Sequence, residues 1–279
     1  MAKAIMILGT ASGVGKTVFC LALCRIFAQD GYRVSPFKAL NVTTNTTFAA
    51  DGGEIALSQH LQALAAGVPT QTDMNPLVLK IPSMQQTEVI RNGKPFHVAE
   101  NTSFRDLRPQ LITDITAAYK RLAAAHDIVV IEGAGSPVEL NLKQDDIVNM
   151  EIARQTAAPA LLVADIDRGG AFAALHGTLT LLDPAERAHV KACVINRFQG
   201  NPADFDDGRR MLEELTALPV VGVIPHMPIH LPEEDDLFTA QTKPLAPTAL
   251  DAEFNRIANT VRSALDLDLI YRILQEGVS

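Results

Sequence analysis

Short apolar runs recur along the chain: Ala4–Leu8, Ile128–Ile131, Ala160–Ala164 and Val220–Ile224 each end at a glycine, a proline or a charged residue, and Val190–Ile195, interrupted by Lys191, ends at Asn196. Runs of this length, rich in β-branched residues and without polar alternation, predict strands buried on both faces of a parallel sheet. Tyr32–Lys38 reads as a further strand, ending in a lysine. Longer segments lie between the runs. Val18–Phe27, a stretch from about 55 to 66, one from about 105 to 125 and one from Ala171 predict helices. Alternating strand and helix gives an α/β fold, a doubly wound, mainly parallel sheet with helices on both faces. Leu77–Lys80 and Glu88–Pro95, the latter turning at Asn92-Gly93, predict an excursion of short strands beside it. Residues 241–248 read as a linker, and Ala249–Leu274 as one amphipathic helix packing back on the domain or on a second subunit. The expected division is therefore 1–240 and 241–279.

One turn carries a specific chemistry. Between the first strand and the first helix stands Gly9-Thr10-Ala11-Ser12-Gly13-Val14-Gly15-Lys16-Thr17, the phosphate-binding loop of P-loop NTPases. A triphosphate needs several converging backbone N–H donors, and glycines let the main chain curl close enough to supply them. Gly13, Val14 and Gly15 are the expected donors, with the positive end of the helix behind them. Lys16 is expected between the β- and γ-phosphates, and the Thr17 hydroxyl on Mg²⁺. The usual spacing puts a first glycine at position 10; Thr10 stands there, and Gly9 one place earlier.

In a doubly wound sheet the carboxyl ends of the strands face the ligand crevice. Lys38 is thus aimed at the loop's region, or is a solvated strand-end lysine. Ala39–Thr47, dense in hydroxyls and amides, reads as a substrate-facing loop or an ordinary one. Asp51 and Glu54 precede a helix; the helix dipole explains an acid there, and so would a Mg²⁺ ligand. Glu132 ends a central strand ahead of two glycines, where an acid completes the Mg²⁺ shell directly or through water. Asp165, Asp167 and Arg168 follow another strand and either face the crevice or pair with each other. Asn196 offers a donor and an acceptor, as an adenine edge requires.

Composition narrows the class. The chain has 279 residues, 47% of them hydrophobic, and no apolar run long enough to span a bilayer. The first strand begins at once after Met1-Ala2-Lys3, so no signal peptide is expected. The net charge of −8 argues against nucleic acid as a partner. Cys20, Cys24 and Cys193 lie in an apolar helix and an apolar strand and read as core thiols of a cytoplasmic protein.

Seven motifs then stand in a telling order: Gly-Thr-Ala-Ser-x-Val-Gly-Lys, Pro-Phe-Lys, Asp-Met-Asn-Pro, Ile-Glu-Gly-Ala-Gly-Ser-Pro, Asp-Ile-Val-Asn-Met, Val-Ala-Asp-Ile-Asp-Arg-Gly-Gly and Leu-Pro-Glu-Glu-Asp. Together they resemble the synthetase half of cobyric acid synthase, itself related to dethiobiotin synthetase, over about residues 2–236. The resemblance implies ATP- and Mg²⁺-dependent activation of a carboxylate as an acyl phosphate, which ammonia converts to an amide. It implies that Lys16 and the loop amides hold the phosphates. Thr17, Glu132 and an acid near Asp51 or Glu54 hold Mg²⁺, Lys38 neutralises the carboxylate and the migrating phosphoryl group, and Asn196 reads adenine.

Two departures stand out. The family carries Lys-Ser-Gln-Asn-Met after the second strand, whereas this chain has Lys38-Ala39-Leu40-Asn41-Val42, which bears on the corrinoid substrate. The family also continues into a glutaminase domain, whereas this chain stops at Ser279, and none of its cysteines looks like that domain's nucleophile. Because Leu265-Asp266-Leu267-Asp268 resembles the family's extreme C-terminus, a naturally stand-alone protein is expected, taking ammonia from solution or a partner glutaminase and forming a homodimer. Two alternatives keep the fold. One is a dethiobiotin synthetase-like enzyme acting on another small acid or amine. The other is a nucleotide switch of the partition-ATPase kind, although Ala11 stands where those proteins carry a lysine.

Overall fold

A computed structural model describes residues 2–83, 86–98, 103–232 and 246–278. Strand β1 (Lys3–Gly9) runs into the glycine-rich turn and helix α1 (Lys16–Gln29), followed by β2 (Val34–Phe37). Three short strands come next, β3 (Leu40–Thr43), β4 (Thr46–Phe48) and β5 (Glu54–Ala56), then α2 (Leu57–Ala66). After β6 (Leu77–Ser83), β7 (Gln86–Arg91) and β8 (Lys94–Pro95), helix α3 (Phe104–Ala125) returns the chain to β9 (Ile128–Glu132). Then come α4 (Met150–Thr156), β10 (Ala160–Asp165), α5 (Ala171–Leu181) and α6 (Pro184–His189). β11 (Val190–Phe198), α7 (Asp206–Thr216), β12 (Val220–Pro225), α8 (Pro247–Ala264) and α9 (Leu267–Glu276) complete the chain.

The main sheet has the order β12-β11-β10-β1-β9-β2, and every neighbouring pair is parallel. Alternate residues of each strand point to opposite faces. Ile5 and Ile7 pack with α1, α2, α8 and α9, whereas Ala4, Met6 and Leu8 pack with α3, α4, α5 and α7. Both faces are covered, which is why these strands read as unbroken apolar runs. The chain leaves β1 toward β9 and β2, then crosses to β10, so the strand order reverses beside β1. A crevice opens at such a reversal, at the carboxyl ends of the strands.

The excursion of short strands is present, and it also takes in the stretch expected as a loop. Ala39–Thr47 is largely strand: β3 pairs in parallel with β6 in a second sheet, β3-β6-β7-β8, and β4 pairs with β5. Asn41 and Thr43 are buried there. A buried amide must be hydrogen-bonded, and Asn41 Nδ2 donates to Ser58 Oγ and Gln59 Oε1 of α2, at 3.0 and 2.9 Å. Partners from a distant helix make a polar stretch tolerable inside.

The C-terminal segment is two helices, not one. Leu265 is extended and bridges Gly222, and Asp266 N–H donates to the Val221 carbonyl at 2.7 Å. Asp266 Oδ1 then caps α9 by accepting from Leu269 N–H. Edge groups of β12 satisfy the backbone at the break, something helical periodicity cannot show. Both helices lie against their own chain: Arg25 pairs with Asp251 at 2.7 Å, Arg262 with Asp30 at 2.8 Å, and Tyr271 donates to Asp30 at 2.5 Å. Of the expected linker, 241–245 falls outside the described residues, as do 233–236 of the acidic segment; Pro247 and Thr248 form the first turn of α8, where proline suits the N-terminal position.

A methyl group on Gly222 would meet the Leu265 side chain and sit 2.8 Å from the Ala264 carbonyl oxygen. Gly222→Ala should therefore push the α8–α9 junction off β12 and destabilise by about 1–3 kcal/mol. Urea unfolding monitored by circular dichroism measures this; an unchanged midpoint would contradict the packing described.

Candidate nucleotide and metal site

Gly13 and Gly15 both adopt left-handed backbone, φ 73° and 94°, and Gly15 forms the N-cap of α1. Gly9 has a different task. A Cβ there would lie 2.7 Å from Lys16 Nζ and 2.9 Å from Lys16 Cδ, so the lysine stem lies directly against this residue. The close approach falls on position 9, which is why Thr10 is tolerated at the place where the usual spacing asks for glycine. Lys16 is buried, and its ammonium donates to the Ala11 and Gly135 carbonyls, both at 2.9 Å. It ties the loop to the segment that follows β9.

Glu132, at the end of β9, is the centre of the site and is 1% exposed. Its Oε1 accepts from the Thr17 hydroxyl and from Lys38 Nζ, both at 2.8 Å. Its Oε2 accepts from Gln62 Nε2 at 2.6 Å, with Gln59 Nε2 at 3.5 Å. Burial by itself raises the pKa of this carboxyl; the Lys38 charge and the hydrogen bonds from Lys38, Gln62 and Thr17 outweigh it and hold the group below its usual range. Lys38, itself 6% exposed, is therefore a buried partner and not a solvated strand-end lysine.

The oxygens of Thr17 and Glu132 form a hard donor set of the kind Mg²⁺ accepts. Beside them Gln62 Oε1 is buried with no hydrogen-bond partner. Among the described residues no cluster of three or more His, Cys, Asp or Glu side chains could hold a metal ion. A cation here would thus use one carboxylate and one hydroxyl, with phosphate and water completing its shell, as is usual for Mg²⁺.

Asp51 and Glu54 are not brought to this point. Asp51 accepts from the Thr72 backbone and hydroxyl at 2.8 and 2.9 Å and from Gly53 N–H, closing a turn. Glu54 pairs with Lys80 at 2.6 Å and accepts from the Thr46 hydroxyl. Glu54 is the first residue of β5 and Asp51 lies ahead of that strand, so neither occupies the helix start that suggested them. Of the metal set expected from sequence, the structure brings Thr17 and Glu132 together.

Asn196 lies against the loop. Its Nδ2 donates to the Val14 carbonyl at 2.8 Å, and a Cβ on Gly15 would collide with it. Its neighbour Arg197 has φ 59° and pairs with Asp165 at 2.7 Å, while Asp167 accepts from Gln199 and Arg168 is exposed. The Asp165 and Asp167 carboxylates thus pair with Arg197 and Gln199 around the end of β11, and Asp165 also accepts from Asp167 N–H at 2.9 Å. Sequence reasoning missed Asn149, whose side chain bonds Ala134 N–H and the Ala134 and Ser136 carbonyls, shaping the segment that Lys16 grips. It also missed Gln59 and Gln62. Two glutamines three apart, on a helix that also carries Ser58 and His60, were the available signal.

Lys16, Thr17, Lys38 and Glu132 line a cavity of about 560 Å³, a size usual for small-molecule sites. Its lining combines polar residues, Ser12, Lys16, Thr17, Lys38 and Glu132 among them, with the apolar Val18, Leu57, Ile229 and Leu231. A larger cavity, about 1160 Å³, opens at the opposite, amino-terminal end of the sheet among Lys3, Arg33, Tyr119 and Tyr271, and holds none of the loop residues. Residues of the glycine-rich loop line the smaller one. The three cysteines are buried, and burial pushes the Cys193 thiol up to about 12.

A parallel sheet reversing at β1, a glycine loop capping α1 and a strand-end acid bonded to the loop threonine define a P-loop NTPase-type α/β protein. The chain belongs to the AAA domain family, whose model matches residues 3–233. It is 48% identical over 235 residues to cobyric acid synthase of Halorhodospira halophila, covering 84% of this chain and 49% of that protein. To cobyric acid synthase of Chloroflexus aurantiacus it is 47% identical over 247 residues, 88% of this chain and 50% of the relative. The chain spans about half the length of the curated relatives it matches, and it resembles their synthetase domain. Among solved structures, the signal recognition particle 54 kDa protein of Aeropyrum pernix in complex with GDP superposes with a TM-score of 0.46 at 13% identity, covering 94% of this chain and 49% of that one. Among the described residues no helix is long and apolar enough to cross a membrane.

The Glu132 carboxyl has a lower pKa folded than its ordinary value of 4.5. Its ionised form therefore contributes stability above that value, and the contribution is lost as pH falls through the folded value. Urea unfolding from neutral pH down to about pH 3 should show a steeper acid loss for the wild type than for Glu132→Gln, and parallel profiles would refute the assignment.

Proposed function

We propose that this chain is an ATP- and Mg²⁺-dependent synthetase that activates a substrate carboxylate, on a corrinoid, as an acyl phosphate for amidation. The observation that carries this reading is the meeting of Lys16, Thr17, Lys38 and Glu132 in one crevice. A switch needs the loop; it has no need of a second buried lysine beside the metal-binding acid.

On this reading the Gly13, Val14 and Gly15 amides and Lys16 hold the β- and γ-phosphates. The Asn196 amide, anchored on Val14, meets the adenine edge through its second N–H and its carbonyl. Thr17 and Glu132 would hold Mg²⁺, which supplies charge neutralisation at the phosphates when bound. A carboxylate oxygen attacks the γ-phosphorus, the bond to the β-phosphate oxygen breaks, and ADP leaves. Ammonia then attacks the acyl carbon, inorganic phosphate departs with the bonding pair, and the nitrogen gives up a proton. On this reading Lys38, bonded to Glu132 at 2.8 Å, neutralises the substrate carboxylate and the migrating phosphoryl group, and positioning with charge neutralisation is the main requirement of phosphoryl transfer.

The names of the relatives support the corrinoid and the ligase chemistry. Ammonia would come from solution or a partner glutaminase, the active form would be a homodimer, and three buried free thiols are in keeping with the reducing cytoplasm. Incubation with ATP, Mg²⁺, ammonium and a corrinoid carboxylic acid should release ADP and amide together. Lys16→Ala should lower that turnover by at least about 100-fold, by loss of transition-state charge stabilisation, with circular dichroism unchanged. Near-native turnover in the variant, or no ADP from folded wild type that binds ATP, would sink the proposal.

A further inference from the structure

Helix α2 packs an apolar side into the core, yet Ser58, Gln59 and Gln62 are all buried on it, both glutamines at 0% exposure. Gln62 spans two elements. Its Nε2 donates to Glu132 Oε2 at 2.6 Å and to the Thr17 carbonyl at 3.2 Å. Its own Oε1 has no hydrogen-bond partner among the described residues. An acceptor left unmade inside a protein is unfavourable, and an apolar residue of the same shape would avoid that cost. The amide is therefore worth having at this place for what its N–H₂ group does.

A carboxylate on a strand end can rotate about its last torsion, because such sp³–sp² torsions are broad. Here Oε1 is turned to Thr17 and Lys38, and Gln62 occupies Oε2. Gln59 stands at 3.5 Å from the same oxygen, and its Oε1 accepts from Asn41 and Ser58, so the shell behind Glu132 is itself braced. We infer that Gln62 is a positioning residue: it locks the Glu132 carboxylate so that Oε1 is presented beside the Thr17 hydroxyl and Lys38, and ties that carboxylate to the first turn of α1. The inference rests on the reading of Thr17 and Glu132 as the cation site. Groups that orient a metal ligand from behind change metal affinity by roughly 10- to 100-fold when removed. A side chain that merely joined α2 to α1 would change stability and leave the Mg²⁺ requirement alone.

The test is ATP binding by calorimetry at graded Mg²⁺, with melting curves recorded alongside, for wild type, Gln62→Met and Gln62→Asn. Met keeps the length without the donor; Asn keeps the amide but is one methylene too short to reach. The Mg²⁺ concentration at half-maximal ATP binding should rise roughly 10- to 100-fold in both, with nucleotide binding in EDTA unchanged. In a Glu132→Gln background, Gln62→Met should add nothing to the Mg²⁺ requirement. An unchanged Mg²⁺ midpoint in folded Gln62→Met, or in Gln62→Asn should the first not fold, overturns the role given to Gln62 and leaves the cation site standing. Wild-type ATP binding that ignores Mg²⁺ altogether overturns both.

Discussion

A single ionised carboxylate, sealed from water, is the constraint to which the rest of this structure answers. Taking Glu132 into the interior costs several kcal/mol unless its charge is matched and its lone pairs are occupied. The fold meets both conditions with groups from three elements: Lys38 just beyond β2, Thr17 in the first turn of α1, and Gln62 in α2. None of the three is near Glu132 in sequence. The carboxylate is thus a point at which the parallel sheet, the phosphate loop and the helix beyond the small sheet must agree in position.

The same burial explains why the lysines and glycines around it are so particular. Lys16 reaches the Gly135 carbonyl by passing against Gly9, where a side chain would block it. Asn149 holds the Gly133–Ser136 turn from the other side, and a Cβ on Gly133 would collide with its amide. Loop, lysine and turn are therefore one assembly.

The small sheet gives the site its second wall. β3 leads directly away from Lys38, and its buried Asn41 is satisfied by α2, the helix that also carries Gln59 and Gln62. Polar residues that would be ruinous in an apolar core are tolerated here because each makes at least one hydrogen bond, although Gln62 Oε1 makes none. Asp51 and Glu54, by contrast, serve the turns and strand pairing of this excursion and play no part in the charge balance around Glu132.

Much of this was written in the linear order of residues. Apolar runs of strand length separated by helical segments predict a parallel sheet covered on both faces, because only such a sheet hides entire strands. Gly9–Thr17, Lys38 and Glu132 were legible as one crevice, since strand ends of a doubly wound sheet converge there. What tertiary structure alone decided is who partners whom. Whether an acid after a polar stretch meets a metal site or a neighbouring lysine depended on β5 intervening before α2. Whether Asn41 lay in a loop or a buried strand depended on a hydroxyl and an amide seventeen and eighteen residues away. The break between α8 and α9 depended on the edge of β12, and the grip on Glu132 on two glutamines of α2. Periodicity reports which face of an element is buried; it carries no information on the distant group that will satisfy a polar atom placed there.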